Sequence, residues 1–220
     1  MPAQAGSQVG TACADMTVFE MLLREHDVSD TETHPLPPFA PSGAKLLMLG
    51  SFPPPHRRWT MDFYYPNRQN DMWRIFGLVF FGDKDYFIEN KNFRETAIRD
   101  FLMQTGIAVA DAAHTVRRLQ GNAADKFLEV VEPLNVAALL ARLPECRTIA
   151  FTGDKAADTL LPQLGAKPAI GIPANGACAG RALRLYRLPS SSRAYPLPLA
   201  DKAAAYRQVF AQAGVFVPPA

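Results

Sequence analysis

Between Lys45 and Trp73 the chain reads KLLMLGSFPPPHRRWTMDFYYPNRQNDMW, and this stretch limits the available folds more than any other. Leu46, Leu47, Met48 and Leu49 form an unbroken apolar run, the pattern of a short strand covered on both faces, as in a parallel sheet flanked by helices. The run stops at Gly50-Ser51 and passes through Phe52 into Pro53, Pro54 and Pro55, whose fixed φ reduces the entropy such a loop loses on ordering. Phe63, Tyr64 and Tyr65 follow as stiff π-surfaces, and Asn67, Arg68, Gln69 and Asn70 supply hydrogen-bond donors and acceptors. Ligands of open parallel sheets gather beyond the carboxyl ends of the strands. A rigid rim carrying aromatic plates and amides at that position suits a flat, hydrogen-bonding ligand such as a nucleobase.

The rest of the chain alternates strands with helices. Asp27–Ser42 is polar and then proline-rich, an extended lead-in to the first strand. Asn70–Phe80 has helical spacing, with Asn70 or Asp71 as N-cap and Met72, Ile75, Phe76 and Val79 as the apolar stripe. Phe93–Thr105 is a second helix, ending at Gly106. Ile107–Asp111, Arg147–Thr152 and Leu183–Leu188 read as further strands, and His114–Asp125 as a basic loop. Asn135–Arg142, Lys155–Leu164 and Asp201–Ala213 read as helices. This alternation predicts a three-layer α/β/α architecture with a central, mostly parallel sheet of four strands. One domain is expected over residues 31–220, preceded by a tail, residues 1–30, with a short helix available at Met16–His26. Met16 offers an alternative start.

Composition excludes several classes. The formal charge is +2, so a nucleic-acid surface would have to come from local clusters such as Arg57, Arg58, Arg117 and Arg118. No apolar run reaches the roughly eighteen residues of a membrane span. Cys13, Cys146 and Cys178 lie far apart, which argues against a zinc or iron–sulfur site and for reduced thiols in a cytoplasmic protein. The first residues lack the pattern of a secretion signal. There is no GxGxxG, GxxxxGK[ST] or GxSxG motif, and no metal or other cofactor is expected.

All four strands end in short polar residues: Gly50-Ser51, Asp111, Thr152-Gly153-Asp154 and Ser190-Ser191-Ser192. The third reads as a turn with an N-cap. Ser190–Ser192 followed by Arg193 combines hydroxyls, fresh backbone amides and a guanidinium, the elements of a phosphate clamp. Asp111 could orient a water or a base, or cap a turn. His114 could pair with it, and His56 could meet a phosphate; either could equally be solvated.

GSFPP (Gly50–Pro54) and LPSSSRAYP (Leu188–Pro196) together resemble the two signature motifs of the uracil-DNA glycosylase superfamily. FYYPNRQNDMWRI (Phe63–Ile75) is similar to the aromatic-then-Asn-x-x-Trp segment of its mismatch-specific and hypoxanthine-DNA glycosylase branches. The resemblance runs from Lys45 to Phe210. It implies a monomeric α/β enzyme of base-excision repair that flips a uracil or hypoxanthine out of DNA and hydrolyses its N-glycosidic bond without a cofactor. By position it implies base binding at Gly50, Ser51, Phe52 and Tyr65, with the Tyr65 ring stacked on the base. It further implies catalysis at Asn70 with Asp111, and DNA phosphate binding at Ser190, Ser191, Ser192 and Arg193. Two positions depart from the pattern: Phe52 stands where the family carries Asp or Asn, and Leu188 where it often carries His. These departures keep two other functions open, a catalytically silent nucleic-acid-binding module and a hydrolase of free nucleosides or nucleotides.

Overall fold

The computed structural model describes residues 31–120 and 125–216; the helix expected at Met16–His26 and the tail lie outside them. In chain order come β1 (Thr31–Thr33), β2 (Leu46–Gly50), α1 (Met72–Phe81), β3 (Ile88–Glu89), β4 (Asn92–Phe93) and α2 (Glu95–Thr105). Next are β5 (Ile107–Asp111), β6 (Ala113–Arg118), β7 (Leu128–Pro133), α3 (Val136–Ala141) and β8 (Thr148–Phe151). The chain closes with α4 (Asp154–Leu164), β9 (Ala174–Cys178), β10 (Arg181–Arg187) and α5 (Leu199–Gln212).

The central sheet has five strands in the order β5-β2-β8-β10-β9. The four strands expected from sequence are parallel to one another, and β9 adds an antiparallel edge against β10. The four-stranded expectation is therefore corrected by one strand. The sequence hides β9 because Ala174-Asn175-Gly176-Ala177 has low β-propensity. Those residues are small for a packing reason: a Cβ at Gly176 would press on the Leu185 side chain and the Leu164 carbonyl at the end of α4.

Alternation along β2 sends Leu46 and Met48 to one face and Leu47 and Leu49 to the other, all at most 1 % exposed. The first face is covered by α1, α2 and α5, through residues such as Phe76, Leu102 and Phe210. The second is covered by α3 and α4, through Leu139, Leu140 and Leu160. Burying each such leucine contributes about 2 kcal/mol. α2 ends before Gly106 as expected, with φ 70° at the glycine, and Asn135 caps α3 by accepting from the Ala138 amide.

Of His114–Asp125, expected as a basic loop, the first part, His114–Arg118, is instead strand. β6 pairs with β1 on one side and β7 on the other in a three-stranded antiparallel sheet. Its arginines are cross-strand partners: Arg117 meets Glu129 at 3.0 Å and Arg118 meets Glu32 at 2.8 Å. They serve this sheet and do not form an open positive surface.

The structure around Asp71 brings the segment before α1 against the segment after β10. Asn70 and Ser192 form an isolated antiparallel bridge, and the Asp71 amide donates to the Ser191 carbonyl at 2.8 Å. The buried Asp71 carboxylate accepts from Lys202 Nζ (3.3 Å) and Arg193 Nε (3.2 Å). Lys202, only 1 % exposed on α5, also donates to the Ser192 carbonyl at 2.8 Å. Removing one partner of a buried pair strands the other charge. Lys202→Met, which keeps the apolar stem, is therefore expected to cost about 3 kcal/mol in urea unfolding. A loss below about 1 kcal/mol would show that Arg193, with Arg74 at 3.9 Å, satisfies Asp71 without Lys202.

Candidate active site

The carboxyl ends of β2, β5 and β8 and the segment after β10 open into a cleft of about 680 Å³, within the range of about 300–1,000 Å³ usual for small-ligand sites. Its lining includes every residue to which the resemblance assigned a site role: Gly50, Ser51, Phe52, Tyr65, Asn70, Asp111 and Ser190–Arg193. The two motif segments lie across it from each other.

Gly50 and Asp111 are register partners on neighbouring strands and form the closed end. A Cβ on Gly50 would run into Asp111 Oδ1 and press on the Tyr65 hydroxyl, so this position has room for hydrogen only. Asp111 is buried and pairs with His34, whose Nε2 donates to Oδ2 at 3.0 Å. The His34 ring is held between the Tyr64 ring, stacked at 5.7 Å, and the edge of Phe52 at 5.2 Å. Its Nδ1 lies 2.8 Å from the Leu36 carbonyl and 3.1 Å from the Leu36 amide. It can therefore accept from the amide when the ring is neutral, or donate to the carbonyl when the ring is charged. The expected Asp111–His114 pair does not form: His114 is exposed and lines a separate groove. His56 stands on the surface 3.7 Å from Asp62, outside the cleft.

Tyr65 forms a side wall. Thr152 Oγ1 donates to the Leu49 carbonyl, so it accepts from the Tyr65 hydroxyl at 3.1 Å. Burial, and then the charge of Asp111, hold the Tyr65 phenol well above its ordinary pKa; it remains a proton donor. The residue has φ 53° although it is aromatic and precedes a proline, a backbone state that costs about 1–3 kcal/mol. Strain of this kind persists where surrounding contacts fix the ring, here the Thr152 bond and the Trp73 ring edge-on at 6.0 Å.

Asn70 is half-buried at the rim. Its side-chain oxygen accepts from the Met72 amide at 2.9 Å, which fixes the amide orientation and leaves the NH₂ group for the cleft. Phe52 turns its ring toward the small core of Ala113, Val116 and Leu128. Arg118 covers that ring at 5.4 Å and donates to the Pro53 carbonyl at 2.7 Å.

The serines divide. Ser190 Oγ accepts from the Ser192 amide and Ser192 Oγ from the Ala194 amide, so each hydroxyl keeps its own proton to donate. Ser191 is 2 % exposed and bonded to the Tyr206 hydroxyl. The Arg193 guanidinium donates to Asp71 and to the Arg68 carbonyl while staying about half exposed at the cleft edge.

Sequence reasoning missed His34, Thr152 as an acceptor, and Asp125, to which Ser51 Oγ donates at 2.7 Å. Each lies far along the chain from the group it touches, so spacing carried no signal. Among the described residues no cluster of three or more His, Cys, Asp or Glu could hold a metal ion, and no helix is long and apolar enough to cross a membrane.

No protein-family model matches the chain, and no curated protein sequence matches it. Among solved structures, it is similar to the solution NMR structure of a protein from Methanosarcina acetivorans described as a "putative uracil DNA glycosylase". The TM-score is 0.54 at 21 % identity, covering 83 % of this chain and 98 % of that one. At that identity the likeness is one of fold.

The Gly50–Asp111 approach gives a direct test. Gly50→Ala should lose about 1–3 kcal/mol of stability in urea unfolding. Combined with Asp111→Ala, the loss should fall short of the sum by at least about 0.5 kcal/mol, because the colliding atom is gone. Strict additivity would contradict the close approach.

Proposed function

We propose that the protein is a DNA glycosylase-like hydrolase that cleaves the N-glycosidic bond of a deaminated or damaged base, uracil or hypoxanthine first, flipped out of DNA into the cleft. The observation that carries this reading is the meeting of Gly50–Phe52 and Ser190–Arg193 across one cleft, with Tyr65 and Asn70 on its walls. The Tyr65 ring offers a fixed stacking surface. The Ser190 and Ser192 hydroxyls, beside Arg193, suit a flanking phosphate; the Ser191 side chain supports them from below through Tyr206.

Cleavage of this bond passes through an oxocarbenium-like state while the base leaves with the bonding electrons. Donors aimed at the departing base lower that barrier. The free NH₂ of Asn70 and the backbone amides of the Gly50–Phe52 turn supply the donors. Asp111 supplies a fixed acceptor at the closed end, held in place by the His34 hydrogen bond. DNA is the partner and no cofactor enters the chemistry; we place the enzyme in the cytoplasm as a monomer. A second reading, hydrolysis of free nucleosides, is favoured by the engagement of Arg117 and Arg118 with acids, which leaves less positive charge for a DNA backbone.

Oligonucleotides bearing uracil, hypoxanthine, xanthine or alkylated bases, single-stranded or mismatched, are expected to acquire alkali-labile sites. Asn70→Ala should slow base release by at least about 100-fold while DNA binding persists. Unchanged release would remove Asn70 from the mechanism. Salt-sensitive binding without abasic product would identify a silent binding module, and cleavage confined to nucleosides the second reading.

A further inference from the structure

Two carboxylates face the cleft, and the mechanism above uses only Asp111. The other, Asp125, opens the short 3-10 turn Asp125–Phe127 between β6 and β7 and reaches the cleft mouth. Ser51 Oγ donates to its Oδ1 at 2.7 Å across 74 residues of sequence. This bond fixes one carboxylate oxygen against the turn that ends β2 and leaves Oδ2 for a solvent molecule at the mouth.

The surroundings of the two acids differ. Asp111 is in a close pair with His34. The groups facing Asp125 are Ser51, Asp111 from β5 and Lys155 from α4. Asp125 is an exposed residue at the mouth, but desolvation where it faces the cleft raises its pKa above the ordinary carboxylate value; the Asp111 charge adds to that, and the Ser51 hydrogen bond and Lys155 oppose it. A carboxyl pushed up in this way, and held by a hydrogen bond at the cleft mouth, is suited to exchange protons.

Resting on the glycosylase reading, we propose that Asp125 is the catalytic base, holding the attacking water at the cleft mouth and taking its proton, with Ser51 as the positioning residue that orients the carboxylate. As the water oxygen bonds to C1′, one of its protons passes to Asp125 Oδ2. The C1′–N bond breaks with its electron pair going to the base, and the base anion takes a proton from solvent. The products are an abasic sugar carrying a C1′ hydroxyl and the free base.

The test is single-turnover release, across pH, of whichever base the wild type removes. Asp125→Asn should slow release by about 100-fold or more while affinity for an uncleavable 2′-fluoro oligonucleotide is retained. The wild-type rate should fall as pH drops through a value above the ordinary carboxylate range. Asp125→Asn should lose that acid limb. Ser51→Ala should move the limb to higher pH, because a bond that lowers the Asp125 pKa is gone. Added formate should restore part of the rate of Asp125→Ala, which a purely structural role would not allow. An intact acid limb in Asp125→Asn, or a near wild-type rate, overturns the assignment while leaving the glycosylase reading standing. A wild type that releases no base overturns both.

Discussion

The geometry of the cleft depends on the buried Asp71 carboxylate, clasped by Lys202 from α5 and Arg193 from the segment after β10. Alone in that position, the carboxylate would carry a desolvation penalty of about several kcal/mol. Each cation that relieves it also fixes a piece of backbone. Lys202 additionally holds the Ser192 carbonyl, and the Asp71 amide holds the Ser191 carbonyl. The serine run is thus tied to the residue that follows Asn70, and two segments more than a hundred residues apart share one wall. The bridge between Asn70 and Ser192 is a consequence of this clasp.

The polarity of the cleft is fixed with similar economy. At the closed end the Tyr65 proton is committed to Thr152 and the Thr152 proton to Leu49, so that end offers an acceptor, Asp111, and no side-chain hydroxyl donor from this pair. Donors sit at the rim, in the Asn70 amide and the Ser190 and Ser192 hydroxyls. The cleft therefore presents donors at its rim and an acceptor at its closed end. The strained Tyr65 backbone belongs to the same design: the ring is held as a wall by contacts on both ends of the side chain, at a conformational cost that the surrounding core sustains.

Much of this was readable from local patterns. The apolar run of β2, the helical stripe of α1 and the glycine ending α2 follow from short-range rules, and all have the predicted form. What escaped was set by tertiary contact. The edge strand β9 is built of small residues because α4 packs over Gly176, so it carries no strand signature. The strands β6 and β7 look like a polar loop because their outer faces are made of ion pairs with each other and with β1. His34 sits in a proline-rich lead-in, yet it pairs with an aspartate 77 residues away, while the nearer His114 does not. The serine run with its arginine was legible as a composition; that Ser191 turns inward to Tyr206 was not.

A crystal structure of the protein with an oligonucleotide carrying 2′-fluoro-2′-deoxyuridine, whose glycosidic bond resists cleavage, tests the account most directly. The base is expected outside the helix and against the Tyr65 ring, its reading edge toward Asp111, with a flanking phosphate on the Ser190 and Ser192 hydroxyls. A base still stacked in the duplex, or DNA bound away from the Gly50–Ser192 cleft, would contradict it.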